Sequence, residues 1–184
     1  MSCGCGKKKG AMPLMGLDSQ ALLPVTEWGP ILWRYLHCIA ERIGHSGNTI
    51  VDTDQANYME VLLTLLPQII PCKECQEHAA SYQQYSAVPP LRGQYGTALR
   101  ETVRNWLFAF HNHVRSRKEQ TIDFYHVEQC SAHYANCALS KQEYNAFIQT
   151  VAGAVRQGWV RMENWRKWYS HSERIRIICG NVVI

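Results

Sequence analysis

The sequence predicts an all-α protein, and two observations carry that prediction. Apolar residues recur three and four positions apart through most of the chain, which is the period of a helix with one buried face. Strand-like alternation is nearly absent; the exceptions are Ile175 with Ile177 and the C-terminal residues Val182–Ile184. We therefore expect an architecture of helices packed on helices.

The first predicted helix begins near Thr26, with Pro30 tolerated in its first turn, and ends at Gly44. Either Asp52 or Thr53 can cap a second helix. Its apolar face is formed by residues at helical spacing: Tyr58, Val61, Leu62, Leu65 and Leu66. The proline that follows, Pro67, should kink this helix or tighten its end.

The remaining elements are separated by polar stretches. Residues 72–85 predict a short third helix, residues 86–94 a loop, and residues 97–118 a long fourth helix. The inward face of the fourth helix carries Leu99, Val103, Trp106, Leu107, Phe110 and Val114. We expect residues 119–140 to be irregular and residues 141–157 to be helical again.

The composition sets limits on the class of protein. With 184 residues, 46% hydrophobic and 18% charged, a mainly disordered chain is excluded. The net charge of +4 is small. It does not indicate a nucleic-acid partner, but it suits a ligand that carries phosphate. Eight cysteines are too few for a disulfide-dense miniprotein and many for an ordinary cytosolic enzyme. The role of these sulfurs is therefore the main question.

The chain shows no targeting signal. No apolar leader follows the N-terminus, Ser2 excludes the myristoylation pattern, and no run of about 18 apolar residues predicts a membrane span. We expect three regions: a flexible arm at residues 1–24, a helical core at residues 25–125, and a mostly helical extension at residues 126–184. The basic, aromatic end of the extension is expected to pack onto the core.

Cys72 and Cys75 stand three apart at the start of the third predicted helix. Such a pair can close a disulfide across one turn, and a helix N-terminus favours a thiolate, which is typical of a redox-active dithiol. Zinc is an equal alternative, because Cys72, Cys75 and His78 can supply three ligands and His111 a fourth. A second set of metal ligands is available at His126, Cys130, His133 and Cys137. A thioredoxin-like site is not favoured, because such a site requires a strand before the helix and the sequence shows no βαβ pattern.

Three motifs occur in order, one on each of three predicted helices: Trp28-Gly29-Pro30-x-x-Trp33-x-x-Leu36-His37, Cys72-x-x-Cys75-x-x-His78, and Trp106-x-x-x-x-His111-Asn112-x-Val114. In this order and spacing they resemble the Erv/ALR family of FAD-linked sulfhydryl oxidases. The resemblance covers roughly residues 26–125, and the short first motif is most similar to members encoded by large DNA viruses.

The resemblance implies a four-helix bundle with a short fifth helix, which binds FAD at one end and usually forms a homodimer. The residues implied or suited to bind the cofactor are Trp28, Trp33, His37, His78, His111, Asn112, Val114, Arg115 and Lys118. Cys75 would be the sulfur beside the flavin, and Cys72 the outer sulfur that an incoming thiolate attacks. Electrons would pass from dithiol proteins, directly or through a thioredoxin-like relay protein, to O2. The alternative is a zinc-stabilised helical interaction module.

The sequence also departs from the family pattern. Phe108 stands where cellular members carry a structural cysteine, and Arg115 replaces the second asparagine after the His-Asn pair. Because Cys130 and Cys137 enclose a short loop, they are candidates for a different structural disulfide, with metal ligation or free thiols as alternatives. Cys38 is expected to be a small buried residue, while Cys179 has no partner nearby in sequence.

Cys3 and Cys5 lie on the predicted flexible arm. Family members often carry a second dithiol on a mobile segment that relays electrons to the inner pair, so the resemblance makes these two cysteines candidates for such a shuttle. The expected location is the cytoplasm of an infected cell or the virion for a viral protein, and the mitochondrial intermembrane space otherwise. Neither a membrane nor nucleic acid is expected as a partner.

Overall fold

The computed structural model describes residues 22–180 and 182–184, and within these residues the protein is all-α, as predicted. The predicted shuttle cysteines Cys3 and Cys5 lie outside the described residues. The helices are, in chain order, α1 (Val25–Arg42), α2 (Thr49–Thr64), α3 (Leu66–Ile69), α4 (Lys73–Tyr85), α5 (Gly96–Arg117), α6 (Val127–Tyr134), α7 (Lys141–Arg156) and α8 (Met162–Cys179).

Helix α1 lies at the centre of the molecule. It contacts α5, α6, α7 and α8, so one other helix of the predicted core and three helices of the extension meet around it. Its residues Leu32, Leu36 and Ile39, at helical spacing, are all buried. None of the helices in the described ranges is long and apolar enough to cross a membrane.

Helix α2 begins earlier than predicted. Asn48, rather than Asp52 or Thr53, is its N-cap, and the Asn48 side chain accepts the backbone N–H of Ile50 at 2.9 Å. Asp52 is instead buried inside the first turn, where it accepts the backbone N–H of Gly96 at 2.8 Å. This hydrogen bond joins the start of α2 to the start of α5. Leu65 separates α2 from the short helix α3, and Pro67 lies in the first turn of α3, so the helical path is interrupted next to this proline.

Helix α6 contradicts the prediction that residues 119–140 are irregular. Within the helix only Cys130 is buried, so there is little apolar periodicity to reveal it. Its start is held by local polar contacts, because Gln129 Oε1 accepts the backbone N–H groups of Tyr125 and His126 at 3.0 and 3.3 Å. Capping and tertiary contacts, rather than an amphipathic pattern, stabilise this helix.

The extension shares the hydrophobic core with the preceding helices. Helix α8 packs along α2, where the side chain of Trp168 is fully buried and its Nε1–H donates to the Leu62 carbonyl oxygen at 3.2 Å. The Tyr35 hydroxyl on α1 and the Tyr144 hydroxyl on α7 lie 2.6 and 3.0 Å from Ser172 Oγ on α8. These buried hydrogen bonds join three helices and fix the extension to α1.

A disulfide between Cys38 and Cys137 corrects the predicted Cys130–Cys137 pairing. Cys137 follows the end of α6 and meets α1, where the Cα atoms of Cys38 and Cys137 are 5.7 Å apart. Cys130 instead lies on the buried face of α6 as a thiol. Cys38 is therefore not an unpaired apolar residue, and the bridge joins residues separated by 99 positions.

We predict that the double substitution Cys38→Ser/Cys137→Ser lowers the free energy of unfolding by about 4–5 kcal/mol, because a long loop is no longer closed in the unfolded chain. Urea unfolding measures this change. A phosphine reductant should lower the stability of the parent chain and of the control Cys130→Ala but not that of the double variant. Peptide mapping that finds Cys130 bonded to Cys137 would contradict the prediction.

Candidate active site

The first turn of α4 carries the predicted dithiol. Cys72 is the N-cap residue, and its Sγ accepts the backbone N–H of Cys75 at 3.2 Å. Both side chains are half-buried and both are thiols. The structure therefore places the two cysteines at a helix N-terminus, as the sequence predicts, and brings both sulfurs to one turn.

The two sulfurs differ in their surroundings. The pKa of the Cys75 thiol is raised to about 12. Burial is the largest cause, the neighbouring Cys72 sulfur acts in the same direction, and the Lys118 ammonium opposes both effects. The backbone donor of the first turn is directed to Cys72, not to Cys75. The expectation that the helix terminus stabilises a thiolate therefore does not extend to Cys75, which keeps its proton in the dithiol form.

Trp33, His37 and His111 form an aromatic cluster between α1 and α5. The Trp33 and His111 rings stack with their centroids 4.2 Å apart and an interplanar angle of 10°. His37 Nε2 lies 3.3 Å from His111 Nδ1, so a proton on one of these nitrogens joins the two imidazoles. The structure thus brings together three of the predicted cofactor-binding residues.

Both histidines in this cluster are held neutral. His37 is 2% exposed and His111 is 7% exposed. The pKa of His37 is lowered to about 3, chiefly by burial and to a smaller extent by the His111 imidazole. Burial also lowers the pKa of His111 to about 4, with the Arg115 guanidinium acting in the same direction. At neutral pH the cluster therefore presents uncharged donors and acceptors.

Two residues of α6 complete this cluster: Tyr134, which sequence reasoning missed, and Cys130, which it considered only for a disulfide or a metal site. The Tyr134 ring stacks on His37 with the centroids 4.6 Å apart, and Cys130 Sγ lies 3.7 Å from His37 Nδ1. Both belong to α6, which was not predicted as a helix. Their spacing of one helical turn is the signal that could have paired them, had the segment been recognised as helical.

The predicted residues near the end of α5 make contacts of their own. Asn112 Nδ2–H donates to the Phe124 carbonyl oxygen at 3.2 Å. Arg115 donates to the Thr121 carbonyl oxygen and to Asp123 Oδ1, both at 2.7 Å. Val114 is half-buried, whereas Lys118 is exposed. Part of the Arg115 charge is therefore balanced within the chain, while Lys118 acts electrostatically on Cys75.

Trp28 lies near the start of α4, the helix that carries the dithiol, and His78 lies on that helix. Trp28 is buried and lines a cavity together with Cys72. His78 follows Cys75 on α4, and its Nε2 accepts a hydrogen bond from Arg117 Nη2 at 2.8 Å. This contact joins α4 to the end of α5.

The donor set of the cluster fits a flat heteroaromatic cofactor that carries a pyrophosphate. Trp33 and His111 offer flat ring surfaces, His37 offers a neutral polar edge, and Arg115 and Lys118 supply cations nearby on α5. Because Trp33 and His111 are stacked directly on each other, they would have to separate to hold such a ring between them.

The zinc interpretation finds no ligand set in residues 22–180 and 182–184. No group of three or more His, Cys, Asp or Glu side chains in these ranges is arranged to hold a metal ion. In particular, the predicted ligand His78 is hydrogen-bonded to Arg117, and His111 is stacked on Trp33 beside His37.

Comparison with known proteins agrees with the three motifs. The model of the Erv1 / Alr family matches residues 30–124. The chain is 29% identical over 90 residues to a protein of Invertebrate iridescent virus 3 that is named as a candidate FAD-linked sulfhydryl oxidase, 096R. The match covers 49% of this chain and 55% of the viral protein, so the chain spans about half the length of this curated relative. No solved structure matches the chain significantly.

We predict that the histidine pair makes folding sensitive to acid. The folded-state pKa values of about 3 and about 4 lie below the ordinary value of 6.5. Stability is therefore fully present above pH 6.5 and is lost as the pH falls toward these values, by about 2 kcal/mol for each histidine at pH 5.

Urea unfolding at pH 7.5 and pH 5 measures this loss. His37→Gln should show a smaller difference between the two pH values than the parent chain, because one buried titrating group is gone. The control His45→Gln removes an exposed histidine and should keep the parent difference. An unchanged difference in His37→Gln would show that this histidine is not the source.

Proposed function

The chain belongs to the Erv1 / Alr family, and on that premise we propose that it is an FAD-linked sulfhydryl oxidase that forms disulfide bonds in protein substrates. The observation that carries the proposal is the half-buried dithiol at the first turn of α4, in which one cysteine caps the helix beside a cavity. The viral relative's name agrees with this activity.

We assign the role of the outer sulfur to Cys72. In the oxidised pair, a substrate thiolate attacks Cys72 Sγ, forms a mixed disulfide with it and breaks the bond between Cys72 and Cys75. A second substrate thiolate then attacks the substrate sulfur of the mixed disulfide, which releases a substrate disulfide and leaves Cys72 reduced. Two electrons and two protons have moved from the substrate to the Cys72–Cys75 pair.

Cys75 is the inner sulfur of the proposed mechanism. Its raised pKa means that it takes up a proton when the pair is reduced and must give up that proton before the disulfide can form again. The Lys118 ammonium lowers the pKa of Cys75 and so assists this proton loss. When bound, FAD supplies the two-electron chemistry that reoxidises the pair and delivers the electrons to O2 as H2O2.

The residues proposed to hold FAD divide by chemistry. Aromatic and neutral polar groups suit the ring systems, and cations suit the pyrophosphate. The first set is Trp28, Trp33, His37, His78, His111 and Asn112, with Val114 as an apolar contact for the adenine. The second set is Arg115 and Lys118. Separation of the stacked Trp33 and His111 rings would open a slot for the flavin.

We further propose a relay from Cys3 and Cys5 to Cys72. Leu22, the first residue that the structure describes, belongs to the predicted arm and lines the cavity beside Cys72. The proposed substrates are dithiol proteins, with a thioredoxin-like protein as one candidate partner, in the cytoplasm of an infected cell or in the virion.

A homodimer is also part of the proposal. Helices α7 and α8 cover parts of α1 and α2 within one chain, so a second copy would have to dock on another surface. Exposed aromatic side chains are available elsewhere, such as Tyr85 and Tyr95. Light scattering on the purified chain would give its mass in solution.

We predict that Cys75→Ser retains the visible flavin spectrum but loses thiol-dependent oxygen uptake by about 100-fold or more, because the inner sulfur can no longer close the disulfide. The matched control is Cys179→Ser, which removes a half-buried thiol outside the pair and should keep the parent rate. Full activity in Cys75→Ser would reject the assigned role. A colourless protein that releases stoichiometric zinc on acidification would reject the oxidase itself.

Deletion of residues 1–10 tests the proposed relay. We expect turnover of protein dithiols to fall, because the share of their electrons that passes through Cys3 and Cys5 is lost, while oxidation of a small dithiol that reaches Cys72 directly persists. Oxygen uptake with reduced protein and with dithiothreitol gives the two rates. An equal loss for both substrates would argue against a relay.

A further inference from the structure

Two cavities near the dithiol share Trp159 as a lining residue. One has a volume of about 420 Å³ and is lined by Cys72 and Lys73 together with the apolar residues Leu22, Leu23, Val25 and Trp28. The other has a volume of about 530 Å³ and runs along α4. We call the two cavities together the Trp159 cleft.

The backbone at Trp159 is held in place. Gly158, with φ of +73°, ends the preceding turn, and the Trp159 N–H donates to the Ala154 carbonyl oxygen at 2.9 Å. The Trp159 carbonyl oxygen accepts from Gln76 Nε2 on α4 at 3.1 Å, and the neighbouring Val160 is buried. The indole itself stays 39% exposed. A large apolar side chain is thus presented to solvent from a fixed position.

The walls of the cleft differ in chemistry. The cavity at Cys72 is apolar, with Lys73 supplying the charge among its lining residues. The second cavity is rich in side-chain amides, which both donate and accept hydrogen bonds and so complement an extended peptide backbone. These amides belong to Gln68, Gln76, Gln83, Gln84 and Asn164. Gln76 and Gln83 already donate to backbone carbonyl oxygens, so they offer their side-chain oxygens as acceptors. The charged lining residues are Lys73, Arg161 and Glu77, and because Arg161 Nη1 lies 3.8 Å from Glu163 Oε1, Lys73 next to Cys72 is the cation available to a substrate carboxylate.

We propose that the Trp159 cleft docks an extended segment of the protein substrate. An apolar residue beside the substrate cysteine packs against Val25 and Trp159, a nearby carboxylate pairs with Lys73, and the backbone meets the amide side chains. The occupant follows from the chemistry of the walls, because Cys72 accepts a thiolate, the amides complement a peptide and Lys73 complements an acidic side chain. The inference rests on the proposed oxidase function.

Trp159 is then a specificity-determining residue that the extension supplies. It lies outside residues 30–124, the part of the chain that the family model matches. The shape of the approach to Cys72 therefore depends on a part of the chain beyond that match. Docking involves no bond change; it positions the substrate sulfur toward Cys72 Sγ before the exchange described above.

Fluorescence anisotropy of a labelled peptide tests the inference with the full chain. The peptide carries an apolar residue and a glutamate beside a serine that replaces the reactive cysteine, so binding is measured without redox chemistry. We expect Trp159→Ala to raise the Kd about tenfold or more. The control Ile177→Ala removes another exposed apolar side chain of the extension, 71% exposed on α8, and should bind like the parent.

Lys73→Glu gives a second test that does not alter a packed residue. It should weaken binding of the glutamate peptide and strengthen binding of a matched peptide that carries lysine in place of glutamate. A Kd that is unchanged in Trp159→Ala, or the same peptide preference in Lys73→Glu and the parent, would overturn the inference. Peptide binding that occurs only after removal of residues 1–21 would identify the N-terminal segment as the occupant and would also overturn it.

These experiments distinguish a failure of the proposed oxidase function from a failure of the docking site. Peptide binding that follows these expectations in a protein without flavin or oxygen uptake would overturn the oxidase and leave the docking site in place. A yellow, active oxidase whose peptide Kd does not respond to Trp159→Ala would overturn the docking site and leave the oxidase in place.

Discussion

The first turn of α4 is the arrangement on which the other features of the site depend. Cys72 is the N-cap of the helix, and Cys75 is the third helical residue, whose backbone N–H donates to Cys72 Sγ. The same geometry directs a backbone donor to the sulfur of Cys72 and leaves the Cys75 thiol half-buried, with a raised pKa. Two identical residues thereby acquire different chemistry, which is what a directional exchange reaction requires.

The extension supports this turn from several sides. Helix α8 contacts α2 and α3, and α3 contacts α4, so the segment that leads into the dithiol is packed against the C-terminal helix. The disulfide between Cys38 and Cys137 holds the other end of the extension to α1. Helix α6 then brings Tyr134 and Cys130 to His37. The dithiol and the aromatic cluster are thus both built partly from residues beyond the predicted core.

Much of the fold and part of the site could be predicted from sequence because they depend on local patterns. Helices α1 and α5 have clear apolar periodicity, and the Cys72–Cys75 spacing fixes both sulfurs on one turn. Other features depend on contacts between distant residues. The pairing of Cys38 with Cys137 requires knowing where α6 ends, and α6 itself buries only one of its residues. The position of Trp159 beside Cys72 likewise has no local signal.

The central claim is that the Cys72–Cys75 pair passes electrons from thiols to a bound flavin. Anaerobic addition of a dithiol while the visible spectrum is recorded tests it most directly. The account predicts that the flavin absorbance bleaches as the dithiol is oxidised and returns when O2 is admitted, with one H2O2 formed for each disulfide made. A protein with no visible absorbance, or one whose spectrum the dithiol leaves unchanged, would contradict the account.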